Sequence, residues 1–456
     1  MNGIRSMLNL GANALAVQRG VMSVISKNIS SANIPGYSRQ RLELTDMGYG
    51  LGAQVSDHTS LRDTTLQRSL LGASQALGFE QGKANVLALA EPMVNGLDGV
   101  GTSQALDDFF ASLSEAAASP GGLTQRESVL AHARALARSI SEAAAGFEQA
   151  RDAAQQTAAE TVERVNSVTA EIAKLNQQIR SIVAAGEAAH ELVDQRDELL
   201  GQLGELVDIE VVTTDGMANV SLSGGEPIVT GDHANVMAVG GGGPDPVSLT
   251  LLRADGGSLD GPTDPGGLLG GTIAARDETL RQALDQLDAT AYGFISAING
   301  MHTAGYGIDG LSERSLFQAP PTQAGAALSM QLAAEVDGHP ERLAFAADPL
   351  YAAGDNTVLT QMLGVQDAAV GAGGRTPGEG LDLVMNTISR ALSASEAQVQ
   401  SEGSRVADLQ AIRASRSGVS LQEEMVALTE AQRSFEAASR VVKVADELYD
   451  TVLRLV

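Results

Sequence analysis

The sequence predicts a mainly helical α+β protein made of nested, discontinuous domains. Both chain ends carry apolar residues at heptad spacing, the segments inside them read as long helices, and a β-rich stretch rich in Gly and Pro lies between. At roughly 150 residues per domain, 456 residues divide into about three units. Aromatic residues make up only 3% of the chain and Trp is absent, so cores must be built from aliphatic residues and Ala. That composition suits close helix-on-helix packing.

The first helix is read from Leu8, Leu15, Met22 and Ile29, seven residues apart, with Ile4, Ile25 and Ala32 on the adjoining stripe. It is expected to end at the break Ile34-Pro35-Gly36-Tyr37, because a residue before proline is pushed out of the α region. Arg39 to Thr45 alternates polar and apolar residues and reads as a strand. Leu61 to Leu89 returns to helix, with an interruption expected near Gly72 to Gly82. The Thr124-x-x-Glu127 box opens a long stretch with Ile140, Phe147, Ala154, Thr161, Val168, Leu175 and Ile182 in step and Val165, Ile172 and Ile179 beside them, a second coiled-coil candidate. His190 to Val207 is one more helix.

The period then changes. Ile209 to Gly231 is β-rich, with Asp215-Gly216 as a hairpin turn, and Gly240 to Gly271 reads as loop and short strand. Helix resumes at Ile273 and runs to Asn299-Gly300; Met301 to Pro377 is irregular with weak strands, and a last internal helix spans about Glu379 to Arg413. At the C-terminus Leu421, Leu428, Phe435, Val442, Tyr449 and Val456 form an unbroken heptad series, with Ala431, Ala438, Ala445 and Val452 beside it. Ser420-x-x-Glu423 supplies a capping box after Gly418. Small Ala residues on the seam allow close approach, so the two terminal helices are suited to pair. The expected units are 1–60 with 415–456, an inner helical layer; 61–207 with 272–300 and 378–414, a helical rod; and 208–271 with 301–377, a β-rich outer region.

Charge and motifs narrow the function classes. A formal net charge of −26 argues against nucleic acid or an anionic membrane as partner. With no Cys, disulfides, thiolate catalysis and Cys-based zinc sites are excluded. No apolar run is long enough for a transmembrane helix, and the first residues lack the apolar core of a cleaved signal. The six histidines show no ligand spacing, and Asp194 stands where a His190-Glu191 metalloprotease motif needs its second His. Gly266 to Thr272 lacks the Lys-Ser/Thr of a phosphate loop. Asp194, Asp197 and Glu198 near Arg196 read as a solvated helix face with local ion pairs. No catalytic, cofactor or metal site is expected.

The stretch Asn28 to Leu44, "NISSANIPGYSRQRLEL", resembles the N-terminal signature of the bacterial flagellar rod, hook and hook-associated proteins. Asn28, Ala32, Asn33, Gly36, Tyr37 and Arg39 match it, and the Pro35-Gly36-Tyr37-Ser38-Arg39 version is most like the members at the hook–filament junction. Ser417 to Leu453 is similar to the axial C-terminal helix of that family, and two internal stretches, beginning "LVDQRDELL" and "RDETLRQAL", resemble the same junction members. The resemblance implies a structural subunit joining hook to filament that assembles through its terminal helices. It also implies export without a cleaved signal, an extracellular place in the flagellum, and as partners other copies of itself, the hook protein, hook-associated protein 3 and an export chaperone on the C-terminal helix. A hook or distal-rod subunit, and further off a secreted coiled-coil scaffold or adhesin, are the alternatives.

Overall fold

The computed structural model describes residues 2–48, 52–95, 101–253 and 256–455. Helix α1 (Asn2–Ser31) is followed by an antiparallel hairpin of β1 (Gln40–Asp46) and β2 (Ala53–Ser60). Helices α2 (Thr64–Asn95), α3 (Thr102–Ala118), α4 (Leu123–Ala184) and α5 (His190–Leu206) come next. Strands β3 (Ile209–Thr214), β4 (Met217–Leu222), β5 (Pro227–Thr230) and β6 (His233–Ala234) form one antiparallel sheet in chain order. Strands β7 (Val236–Gly242), β8 (Asp245–Leu252) and β9 (Ser258–Asp260) form another. Helix α6 (Gly267–Ala274) passes through a π-helical turn into α7 (Arg281–His302), and α8 (Thr357–Leu363), α9 (Pro377–Ser417) and α10 (Leu421–Leu455) complete the chain.

The spine is α4, whose 62 residues extend about 93 Å at 1.5 Å per residue. Its first half lies in one core with α2, α3, α7 and α9, where Phe109, Phe110, Phe294 and Phe317 interlock with ring centroids 5.5 to 6.2 Å apart. Its second half backs the sheets in a separate core. Of the expected seam, Ile140, Phe147, Ala154 and Thr161 are buried; beyond them its companion positions Val165, Ile172 and Ile179, with Asn176, are buried, while Val168, Leu175 and Ile182 are half-buried. A straight helix drifts about 20° per heptad, so a sheet rather than a supercoiled partner meets the second half. Two asparagines on that face pin the sheets. The Asn176 amide donates to the Ala218 and Gly231 carbonyls at 2.8 and 2.7 Å, and Asn166 exchanges two 2.8 Å bonds with the Met237 backbone.

Helix α2 runs unbroken through Gly72 to Gly82, where the sequence led us to expect an interruption. Two of these glycines serve a helix crossing. A β-carbon at Gly78 would lie 2.1 Å from the Glu205 carbonyl oxygen, and one at Gly82 would lie 2.3 Å from that of Leu268. Helix α4 starts at Gly122 with no side-chain cap, leaving Thr124 inside it, whereas the unforeseen capping box Thr376-x-x-Glu379 opens α9. Asp215 and Gly216 both take positive φ, 52° and 80°, and close the β3–β4 hairpin.

Residues 301–377 differ from the expected β-rich outer region. They hold isolated bridges, short 3-10 turns and α8, and they send Leu316, Phe317, Met330, Val336 and Phe345 into the helical core. Buried side chains of the helices replace a sheet as partners for this backbone. Asn299 donates to Phe317 O at 2.8 Å and accepts from the Leu316 and Phe317 amides. Arg126 donates to Pro120 and Leu343 carbonyls, both at 2.6 Å, over the Phe345 ring. His302 donates from Nδ1 to Arg314 O at 2.7 Å and accepts the Ala344 amide on Nε2 at 3.0 Å, which requires a neutral ring.

Burial, with Arg126 and Arg314 nearby, pushes the His302 imidazole from 6.5 down to about 4. A depressed folded-state pKa means that this stabilising contribution is whole above pH 6.5 and is lost as pH falls towards 4, about 3 kcal/mol in all. Urea unfolding followed from pH 7.5 to 4.5 is therefore expected to show falling stability that flattens in His302→Gln; an unchanged slope in the variant would assign the acid sensitivity to other groups.

Candidate assembly site at the paired termini

Helices α1 and α10 lie against each other antiparallel. Asn28 meets Glu424 at one end, Arg19 lies over the Phe435 ring at 5.9 Å in the middle, and Gly11 faces Val442 towards the other end. A β-carbon at Gly11 would come within 2.3 Å of Val442 Cγ2, so the pair closes on a glycine. The contact stripe of α10 is Glu424, Ala431, Ala438 and Ala445, seven apart, flanked by half-buried Leu428, Phe435 and Val442. On α1 the buried residues among those described are Gly11, Val17, Val24, Ile25, Asn28 and Ser31. Leu8, Leu15, Met22 and Ile29, expected to form the seam, are half-buried on its flank. The pair therefore buries narrow, Ala-rich surface and leaves larger apolar side chains outside.

The break after α1 is a tight corner. Helix α1 stops at Ser31, ahead of Ile34-Pro35, and Tyr37 N–H donates to Ile34 O at 3.2 Å across a turn with Pro35 and Gly36 in its centre. Gly36 has φ +80°, the left-handed value that this turn needs at its third residue. A β-carbon there would also lie 3.1 Å from Glu198 Oε2.

Behind the corner is a buried polar network. Asn28 donates to Glu424 Oε2 at 3.1 Å and to Gln40 O at 2.9 Å, and its Oδ1 accepts from the Gln40 amide and the Tyr37 hydroxyl at 3.0 and 2.9 Å. Arg39 Nε pairs with Glu424 at 2.7 Å, where the carboxylate side chain is 2% exposed, and its Nη1 pairs with Glu423 at 3.0 Å. Burial first, and then the carboxylates Glu191, Asp194 and Glu424, push the Tyr37 phenol up, so it stays a neutral donor.

The corner is tied to the helical body by polar contacts. Ser38 N–H donates to Asp194 Oδ2 at 3.0 Å, Arg62 pairs with Asp194 and Asp197 at 3.2 and 3.3 Å, and Arg413 donates to Gly36 O at 2.8 Å. Lys27 pairs with Glu191 at 3.1 Å, and Arg39 N–H donates to Ser417 O at 2.8 Å. Burial raises the Asp194 carboxyl against the pull of Ser38 and Arg62. Asp194 and Arg196 are thus not on a solvated face: both are buried, and Arg196 donates to Asn176 and to Gly216 O instead of the neighbouring acids.

Of the singled-out residues, Gly36, Tyr37, Ser38 and Arg39 converge on this network, while Asn33 and Pro35 are exposed. Leu421 and Tyr449 are also exposed, and Val456 lies outside the described residues. Glu424, Asp194 and Arg413 were not singled out as site residues. A signal existed for Glu424: it continues the Ala431, Ala438, Ala445 series one heptad back, a charge in an apolar seam. No local pattern marks Asp194 or Arg413, whose partners lie more than 130 residues away in the chain.

Comparison with known proteins agrees with this architecture. Residues 87–317, just over half of the chain, match the model of the flagellar hook-associated protein FlgK helical domain. Residues 413–455 match that of the flagellar basal body rod FlgEFG protein C-terminal region. Flagellar hook-associated protein 1 of Salmonella typhimurium is 28% identical over 337 residues, covering 68% of this chain and 59% of the relative. The chain thus spans under two thirds of that protein's length. The Bacillus subtilis protein of the same name is 26% identical over 499 residues, covering 98% of this chain and 97% of its own. In three dimensions, the flagellar hook junction protein FlgK from Burkholderia pseudomallei superposes with a TM-score of 0.65 at 17% identity, over 77% of this chain and 99% of that one. The two family matches, over the helical body and over the last helix, mark the chain as a flagellar axial protein. Within that class, the chain belongs to the flagellar hook-associated protein FlgK family.

Glu424→Ala leaves Arg39 and Asn28 without their shared acceptor and is expected to weaken the helix pair by roughly 2 kcal/mol, below the full cost of breaking a buried ion pair because Arg39 is partly exposed. Amide hydrogen exchange is expected to quicken along α10 and remain slow in α4; equal quickening in both would make the network part of the general core.

Proposed function

We propose that this protein is a structural subunit joining flagellar hook to filament, assembled through its paired terminal helices. The observation that carries the reading is the half-open helix pair. It is held at one end by a buried polar network yet exposes Val441, Val444 and Leu448, spaced three and four residues apart along one side of α10, to solvent. A contiguous apolar surface on a monomer marks a contact with another chain. Neighbouring copies would cover it, and apolar burial would then offset the entropy of ordering the ends. The role is mechanical rather than catalytic. The partners are further copies of the chain, the hook protein on one side and hook-associated protein 3 on the other, with an export chaperone taking α10 before assembly, an amphipathic helix laid into a groove. Its place is outside the cell, reached through the flagellar export apparatus.

A strain lacking the protein is expected to make hooks without filaments and to lose flagellin to the medium, as seen by electron microscopy; filaments on such hooks would refute the reading. Removing Leu421 to Val456 is expected to leave a folded, soluble body that neither assembles nor retains its chaperone. Phe435→Asp is expected to impair assembly while the melting temperature of the body holds; a parallel loss in both would make α10 ordinary core.

A further inference from the structure

We propose that the His58–His190 contact is an acid-released clasp between the terminal unit and the helical body, so that mild acid frees the angle between them. Two kinds of tie join these units. In the first, Arg39 N–H donates to Ser417 O at 2.8 Å, Leu61 N–H donates to Arg39 O at 2.9 Å, and the Ser417 hydroxyl donates to Leu61 O at 2.7 Å. None of these groups titrates, so this tie holds as pH changes and serves as a pivot. The second tie is made by His58 of β2. Its ring stands edge-on to that of His190, the first residue of α5, with centroids 4.8 Å apart and planes at 81°. His190 Nε2 donates to the His58 carbonyl oxygen at 2.5 Å, so ring and backbone of one hairpin residue both meet the body.

The clasp is built for a neutral His58. Its Nε2 is buried and has no hydrogen-bond partner, which suits a bare lone pair and leaves a proton there without an acceptor. The surrounding charges act in the same direction. Lys27 of α1 and His190 of α5 disfavour a cation on His58, and Asp57, beside it in β2, is the acid that favours one. Glu191 of α5 is taken up by Lys27 at 3.1 Å. Asp194 and Asp197, one and two turns further along α5, are taken up by Arg62, with Ser38 N–H also on Asp194. Arg41 and Glu43 flank Leu42, the cross-strand partner of His58, on the opposite face of the strand, and pair with each other at 3.7 Å.

Burial first, and then His190 and Lys27, lower the His58 pKa from 6.5. A depressed value in the closed joint means that the clasp contributes fully above pH 6.5 and is lost as pH falls through the lowered value. The residue is only half-buried, so protons reach the ring without unfolding. A charged ring is repelled by Lys27 and carries a buried N–H without a partner. Both costs end when β2 lifts from α5, and the pivot then allows the two units to swing.

The chain has no Cys, so a pair of spin labels can be introduced cleanly. Gln54→Cys on the hairpin and Lys174→Cys on α4, both exposed, report the angle of the joint. Pulsed electron resonance on the full chain is expected to give one narrow distance at pH 7.5 and a broad distribution at pH 5, while circular dichroism holds. In His58→Gln, which cannot be charged, the distribution is expected to be the same at both pH values. Broadening that persists in this variant would overturn the clasp and assign the effect to Asp194 or other carboxylates. Imidazole nitrogen shifts read the ring directly: His58 is expected to titrate below 6.5, in step with the broadening, and to titrate higher in Lys27→Gln. A His58 that titrates above 6.5, or that becomes charged while the distance stays narrow, would equally overturn the proposal.

Discussion

Glu424 lies under the Arg39 guanidinium with the Asn28 amide against its other oxygen, and most of the terminal architecture follows from this one buried carboxylate. It belongs to the last helix, Asn28 to the first and Arg39 to the strand after the turn, so three segments separated by up to 396 residues share one acceptor. A buried carboxylate without such partners would cost several kcal/mol, and each partner is therefore held where it stands. Asn28 then spends its remaining capacity on Gln40 and Tyr37, which sets the strand and the turn. A polar cluster of this kind specifies register along a helix pair whose Ala-rich seam would otherwise slide.

The body solves a different problem. In a chain with eight Phe and no Trp, it cannot fill wide spaces, so elements approach until backbones nearly touch. A β-carbon on Gly271 would lie 1.8 Å from Phe79 O, and one on Gly293 would lie 1.7 Å from Val370 O. Half of the phenylalanines are concentrated where α3, α7 and the 301–377 segment meet. Buried Arg126, Asn299 and His302 meet backbone polar groups of that segment, which lets an irregular chain sit inside the helical core. The long α4 joins this core to the sheet-backed one and carries the body from end to end.

Between terminal pair and body the contacts are of a third kind, mainly ion pairs and single hydrogen bonds around Asp194, Arg62 and Arg413. Such contacts are directional and sensitive to ionic strength when partly exposed, unlike the apolar contacts within each unit. The molecule thus has two regions stabilised by packing and a joint stabilised by charge.

Much of this was legible in the sequence, and the boundary has a physical cause. Heptads and the change to period two marked the terminal helices, the long central helix and the β-rich segment, because periodicity is a local property of residue order. The turn at Pro35-Gly36 was legible for the same reason, since proline fixes its own φ and glycine admits the positive φ that the turn needs. Only the tertiary structure decided which side of α1 faces α10. The heptad of Leu8, Leu15, Met22 and Ile29 is the more apolar stripe, yet the glycine at position 11 and the polar bonds of Asn28 turn Val17 and Val24 inward. It also decided that Gly78 and Gly82 are crossing points rather than breaks, and that 301–377 joins the helical core. These outcomes depend on what approaches from far along the chain, and a residue's neighbours in sequence carry no record of that.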